Sequence, residues 1–312
     1  MAERIELTFL GTGSAIPTKR RNHPAMFLRY KNEGILVDCG EGTQRQFRKA
    51  GINPCKITKI LITHWHGDHV FGLPGILQTL ILNGYNKKLE IYGPKGTKEW
   101  VRKYFDLVGR SVEKLDVRVS EVAGRRSQVA DRDVVFNEGE YFVEAKEMDH
   151  DCPAVGYAFV VREKMRLDGE KLAKMKIPNS PLMGELAKGK VVTIAGKKID
   201  GKKLLYKEDA RRVSFVMDTR YCENAVKLAK NADLLVIEST FSKEESEELL
   251  GERAHLSSVE AAKIGKKAGV KGMALVHLSQ RYEGIPKVIL GEAVEVFGKG
   301  VVVPEDLDKV EL

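Results

Sequence analysis

Lys56-Ile57-Thr58-Lys59-Ile60-Leu61-Ile62-Thr63 runs directly into His64-Trp65-His66-Gly67-Asp68-His69, and residues 56–69 decide the fold. The first eight residues are rich in β-branched and aliphatic side chains, the pattern of a short buried strand. Where the apolar run stops, four possible ligands appear within six residues: His64, His66, Asp68 and His69. Neutral imidazole and carboxylate are the donors that zinc, a borderline-soft ion, accepts. In extended backbone His64 and His66 point to the same side and can converge on one metal. A turn through Gly67 then brings Asp68 and His69 to a second metal about 3.5 Å away, a spacing that serves both oxygens of an in-line displacement. The chain has only seven histidines, and three of them lie in these six residues. This stretch alone predicts a two-metal hydrolase site at a strand end.

Outward from it, short β patterns occupy IELTFL (5–10), AMFLRY (25–30), ILVDCG (35–40), LEIYG (89–93) and DVRVSEV (116–122). Helical patterns fit GTQRQFRKA, the apolar segment Pro74 to Gly84, and the amphipathic TKEWVRKYFDLV. YFVEAKEM and VGYAFVV flank His150 as a β pair, and strands then alternate with helices from RVSFVMD to PKVILGEAVEVF. That order predicts an α/β fold of two sheets covered by outer helices, a single sandwich domain over 1–312. Residues 162–207 break the rhythm with Pro178, Pro181, five glycines and little apolar periodicity, and read as an inserted arm.

The arm also carries the charge. It holds 13 Lys and Arg against five Asp and Glu, a surplus of eight that equals the formal +8 of the whole chain. A localised basic element is the footprint of contact with a phosphate backbone. Cys39, Cys55, Cys152 and Cys222 are scattered without a CxxC pair, which argues for reduced thiols over a disulfide framework or a cysteine zinc site. No stretch approaches the ~20 apolar residues of a membrane span. The N-terminus enters a strand pattern without a signal-peptide layout, so a cytoplasmic protein is expected.

His-x-His-x-Asp-His after a hydrophobic strand resembles the signature of the metallo-β-lactamase fold superfamily. The resemblance implies a four-layer αββα sandwich and further ligands at later strand ends: His150 in MDHDCPAVGY, Asp218 in FVMDTR and His277 in LVHLSQRY. It implies two Zn2+ per chain, one held by His64, His66 and His150 and the other by Asp68, His69 and His277, with Asp218 between them. Asp68 would also accept a proton from the attacking water.

Narrower motifs resemble tRNase Z, the endonuclease that removes the 3′ trailer of precursor tRNA. They are FLGTGSAIPTKRRN (9–22), DCGEGTQRQ (38–46), the His150 segment, MDTR, ESTF (238–241) and RAHLS (253–257), and they span nearly the whole chain. This resemblance implies a catalytic Glu238–His255 pair beside the metals, the carboxylate orienting an imidazole that protonates the leaving oxygen. It implies a loop from Gly11 through Gly13 and Ser14 offering backbone N–H groups, with Thr18, Lys19, Arg20, Arg21 and Asn22 meeting RNA near the acceptor end. It places a flexible tRNA-binding arm at 162–207, in which Ile177-Pro178-Asn179-Ser180-Pro181 stands where a Gly-Pro motif is usual. It also implies a homodimer, for which the apolar helix after His69 is a candidate interface. Two other readings remain open: a hydrolase of small phosphodiesters or esters, and a non-catalytic RNA-binding protein keeping the fold.

Overall fold

Strand propensity and crossover geometry account for the architecture of the computed structural model, which describes residues 3–122, 134–248 and 254–312. β1 (Ile5–Gly11), β2 (Ala25–Tyr30) and β3 (Glu33–Val37) pair antiparallel, β1 and β2 across a long loop and β2 and β3 across a two-residue turn. From β3 onward helices intervene, and the strands become parallel: β4 (Lys59–Leu61), β5 (Lys88–Gly93) and β6 (Asp116–Glu121). A parallel neighbour needs a crossover of this kind. α1 (Thr43–Lys49), α2 (Gly67–Val70), α3 (Leu73–Leu82) and α4 (Thr97–Val108) lie in those connections. The buried side chains Ile76, Leu77 and Leu80 of α3 join Ile60 and Ile91 of the sheet in one core.

The second sheet repeats the scheme. β7 (Val134–Asn137), β8 (Tyr141–Glu147) and β9 (Val155–Val161) lead by chain order into a segment containing β10 (Lys164–Leu167), α5 (Gly169–Lys174), α6 (Met183–Ala187), β11 (Val191–Ile194), β12 (Lys197–Asp200) and β13 (Leu205–Glu208). The sheet continues with β14 (Arg211–Val216), β15 (Leu234–Glu238), β16 (Met273–Val276) and β17 (Val301–Val302), all parallel to one another. α7 (Glu223–Ala229), α8 (Lys243–Glu248), α9 (Ser258–Ala268) and α10 (Lys287–Phe297) connect them, and β18 (Lys309–Glu311) returns to pair with β1. The orders are β18-β1-β2-β3-β4-β5-β6 and β17-β16-β15-β14-β9-β8-β7, two seven-stranded mixed sheets. They meet through aromatic side chains such as Tyr30 against Phe159, and the buried Tyr157 hydroxyl donates to the Ile62 carbonyl. This is the four-layer α/β sandwich of the sequence reading.

Two compact units emerge, residues 3–159 with 212–312 and residues 160–211. The second is wider than the inserted arm expected over 162–207, and it contains secondary structure that its sparse periodicity did not display. Leu186, Ile194, Ile199 and Leu204 form a small buried core of their own. β10 and β13 pair antiparallel, and Asp168 caps α5 by accepting from the Glu170 and Lys171 N–H groups. Ala195 and Gly196 take positive φ of 50° and 75°, the two-residue hairpin turn that joins β11 to β12. Lys171, Lys174, Lys176, Lys197, Lys198 and Lys203 are exposed. Elements this short carry too few turns for a period to be read.

Two smaller differences bear on the site. KITKILIT forms a three-residue strand preceded by a 3-10 turn, and ILVDCG stops at Val37 because Asp38 takes a left-handed φ of 56°. Arg253 of RAHLS lies outside the described residues.

Candidate metal centre

Parallel strands present their carboxyl ends at one edge, where open α/β sheets place their ligands. Here His64 follows β4, Asp218 follows β14, Glu238 ends β15 and His277 follows β16. Gly67 begins the short α2, which carries Asp68 and His69. His150 comes from the β8–β9 connection and His255 from the segment before α9. Six of the seven histidines thus gather at one point.

Their ligand atoms form three groups, each within 4.8 Å: His64, His66, His150 and Asp218; Asp68, His69 and His277; and Asp218, His255 and His277. His277 Nε2 lies 3.3 Å from both Asp68 Oδ2 and Asp218 Oδ1, and His69 Nε2 lies 3.3 Å from Asp68 Oδ2. His150 Nε2 faces His66 Nδ1 at 3.2 Å. Buried His64 Nε2, His69 Nε2 and Asp218 Oδ1 have no hydrogen-bond partner among the described residues. Buried polar atoms are ordinarily satisfied, so converging orphans of this donor type fit a metal-binding cluster.

The other ring nitrogens of His64, His69, His150 and His277 are occupied, which turns these imidazoles inward. His69 Nδ1 donates to Asp38 Oδ2 at 2.7 Å, and Asp38 accepts from the Thr63 N–H and hydroxyl at 2.8 Å each. With its hydroxyl proton on Asp38, Thr63 Oγ1 accepts from His64 Nδ1 at 3.1 Å. His277 Nδ1 donates to Thr240 Oγ1 at 2.8 Å, and that hydroxyl donates to Glu238 at 2.6 Å. His150 Nδ1 donates to the Ala254 carbonyl. Asp38, Thr63 and Thr240 escaped the sequence reading. Asp38 lies in the quoted DCGEGTQRQ segment, but its role follows from β3 and β4 being parallel neighbours, with Asp38 N–H bonded to the Leu61 carbonyl.

Protonation follows the same geometry. Burial, with His69 beside it, holds His64 well below the usual histidine range, as a neutral ligand requires. Burial pushes Asp68 up, but His69 and His277 outweigh it and hold the carboxylate ionised. Asp218 is likewise held ionised by His277, His69 and His64 against its burial. His69 is raised because Asp218, Asp68 and Asp38 overcome desolvation, so a proton there occupies the place of positive charge. For His255 burial is overcome by Glu238, 3.3 Å away, and by Asp218, and its pKa rises to about 9.

The ribonuclease Z of Pediococcus pentosaceus is 39% identical to this chain over 317 residues, covering 99% of each. That of Natronomonas pharaonis is 37% identical over 311 residues, covering 99% of this chain and 98% of its own. The chain belongs to the ribonuclease Z family. Among solved structures, the short form of human tRNase Z is 27% identical with a TM-score of 0.68, covering 98% of both chains. The metallo-β-lactamase fold protein YhfI from Bacillus subtilis superposes with a TM-score of 0.70 at 16% identity, covering both chains fully, and supports the fold alone. Residues 5–107 also match a family model described as anti-Pycsar protein Apyc1.

In this ribonuclease Z chain the loop after β1 departs from its expected use. The N–H groups of Thr12, Gly13 and Ser14 are taken by Asp306 Oδ1, the Asn22 carbonyl and the Leu278 carbonyl. They are not on offer to a phosphate. Arg21 is 5% exposed, and its guanidinium donates to Thr12 Oγ1 and the Pro304 carbonyl. Asn22 donates its N–H to Asp306 and its side-chain amide to the Glu41 carbonyl. Arg21 and Asn22 therefore brace the loop, whereas Lys19 and Arg20 are exposed. The sequence could not separate the two pairs, because the bracing carboxylate sits 284 residues beyond Asn22.

Trp65, between two candidate ligands, was given no role by its sequence. Its ring stacks on Trp100 and Tyr104 of α4, with centroids 6.0 and 5.8 Å away, and its Nε1 donates to Thr97 Oγ1 at 2.8 Å. α4 thereby holds the backbone that carries His64 and His66. Trp100 is 44% exposed, so Trp100→Ala spares the core. Zinc affinity by chelator competition is expected to fall about 10-fold, in the range for groups that orient ligands. Unchanged affinity would show that the stack does not position the pair.

Proposed function

We propose that this chain is a zinc-dependent endoribonuclease that removes the 3′ trailer of precursor tRNA, working with two Zn2+ as a cytoplasmic homodimer. Its membership of the ribonuclease Z family carries the reading, and the converging cluster of unsatisfied donors supports the metal requirement. His64, His66 and His150 would hold one ion, Asp68, His69 and His277 the other, and Asp218 faces both groups. When bound, two such ions supply an ionised water at neutral pH and neutralise charge on a phosphodiester.

The chain's own groups do the rest. Asp68, ionised and 10% exposed in its side chain, is placed to accept a proton from the attacking water. Glu238, fully buried, keeps His255 protonated and aims it, so that His255 donates to the departing O3′. Attack forms the bond from water oxygen to phosphorus and breaks the P–O3′ bond. The tRNA keeps a 3′-hydroxyl and the trailer a 5′-phosphate. Lys19 and Arg20 lie where RNA phosphates near the acceptor end would pass, with Gly13 and Ser14 shaping the loop beside them. The exposed lysines of residues 160–211 fit a folded RNA gripped by shape and phosphates.

The test is incubation of zinc-replete protein with a precursor tRNA and mapping of both new ends. A single cut after the discriminator nucleotide, with the stated termini, is expected. An intact precursor, or a trailer bearing a 5′-hydroxyl, refutes the assignment.

A further inference from the structure

His255 and His277 form the inner wall of a cavity of about 160 Å³ whose remaining walls carry no step of the reaction described above. Apart from those imidazoles, its walls come from three places in the chain: Ala15 and Ile16 after β1, Phe241 after β15, and Gln280 after β16. Ile16 is 52% exposed although aliphatic, and Phe241 lies edge-on to the His255 ring with centroids 6.0 Å apart. Ser14, Ser279 and Gln280 place hydroxyl and amide groups around this apolar wall. An apolar face with a few hydrogen-bonding groups at its edge is the environment that takes an unstacked nucleobase. The space far exceeds the ~10–15 Å³ that a single water needs and is on the scale of a planar heterocycle.

A second, wider cavity continues outward. It shares Gln280 with the first and reaches Pro17, Thr18 and Lys19 on one side and Glu283 on the other. Glu283 accepts from the Arg20 N–H at 2.9 Å, which fixes the loop at that point. A track therefore runs from the imidazole, past Ile16 and Gln280, to an exposed cation.

The direction of the strand follows from the chemistry. The oxygen that receives the proton from His255 is O3′ of the nucleotide on the 5′ side of the cut, so that nucleotide's ribose sits against His255. We infer that the cavity between Ile16, Phe241 and Gln280 receives the base of the nucleotide immediately 5′ of the scissile phosphate. The preceding phosphate then lies toward Lys19. This inference rests on the assignment of an RNA strand to the site and adds the subsite that reads its last retained residue.

The experiment compares precursor tRNAs that are intact, abasic at the nucleotide 5′ of the cut, or abasic at the first trailer nucleotide. With the wild type, kcat/KM is expected to fall about 10-fold for the first abasic position, a typical worth for one stacked base, and to hold for the second. Ile16→Ser and Gln280→Ala are surface changes, and each should shrink that 10-fold difference while zinc content stays constant. A wild type that cuts both abasic substrates equally well overturns the inference, as does a loss confined to the trailer position. So do variants that keep the full difference. A wild type that cuts no precursor at all removes the tRNA assignment, and this subsite with it.

Discussion

Asp68→Ala is expected to leave precursor tRNA uncut, with a loss on the order of 10³-fold or more in kcat/KM. Asp68 Oδ2 sits 3.3 Å from both His69 Nε2 and His277 Nε2. Its removal takes the carboxylate from one candidate metal group and leaves two imidazoles facing each other. It also removes the carboxylate proposed to accept a proton from the attacking water. Asp68 is only partly buried and lies on a four-residue helix, so the fold should survive. The expected result is a folded protein holding fewer zinc ions per chain than the wild type, measured by elemental analysis, and no product on a sequencing gel. Cleavage within a few-fold of wild type would remove Asp68 from the reaction.

Removing the basic unit should divide one activity from another. Leu167 and Leu205 are paired across the β10–β13 ladder, so residues 168–204 can be replaced by Asn-Gly, a two-residue turn suited to a hairpin. The remaining unit keeps both sheets and every candidate ligand. Cleavage of precursor tRNA is expected to fall at least about 100-fold in kcat/KM, because the exposed lysines proposed to meet phosphates are gone. Hydrolysis of a small phosphodiester such as bis(p-nitrophenyl) phosphate should persist, since it needs only the metal centre. The wild type should also lose RNA affinity steeply as salt rises, and the shortened chain should show a smaller slope. Equal loss of both activities would return residues 160–211 to a structural role. Full retention of tRNA cleavage would favour a substrate that needs no distant handle.

How much of this was legible in the sequence depends on distance along the chain. HWHGDH could be read because a strand end and a short turn bring its four donors together within six residues. The alternation of strands and helices in 211–297 could be read for the same local reason, and it gave the sandwich. The basic surplus of 162–207 needed only counting. By contrast, the small core of that segment depends on single residues from four short elements, which no window of sequence displays. Arg21 and Lys19 are equally basic on paper. One is buried against Thr12 and Pro304, and the other lines an open cavity.

Taken alone, the sequence determined the donor types, their spacing at His64 to His69, and the charge that suits a nucleic acid. The tertiary structure decided which strand ends share an edge. Through that it decided that Asp38 turns His69, that Thr240 turns His277, and that Asp306, the Asn22 carbonyl and the Leu278 carbonyl occupy the N–H groups of the loop after β1. The reason is physical. A ligand's identity is a property of one residue, whereas its orientation and the freedom of a hydrogen-bonding group depend on neighbours that only packing supplies.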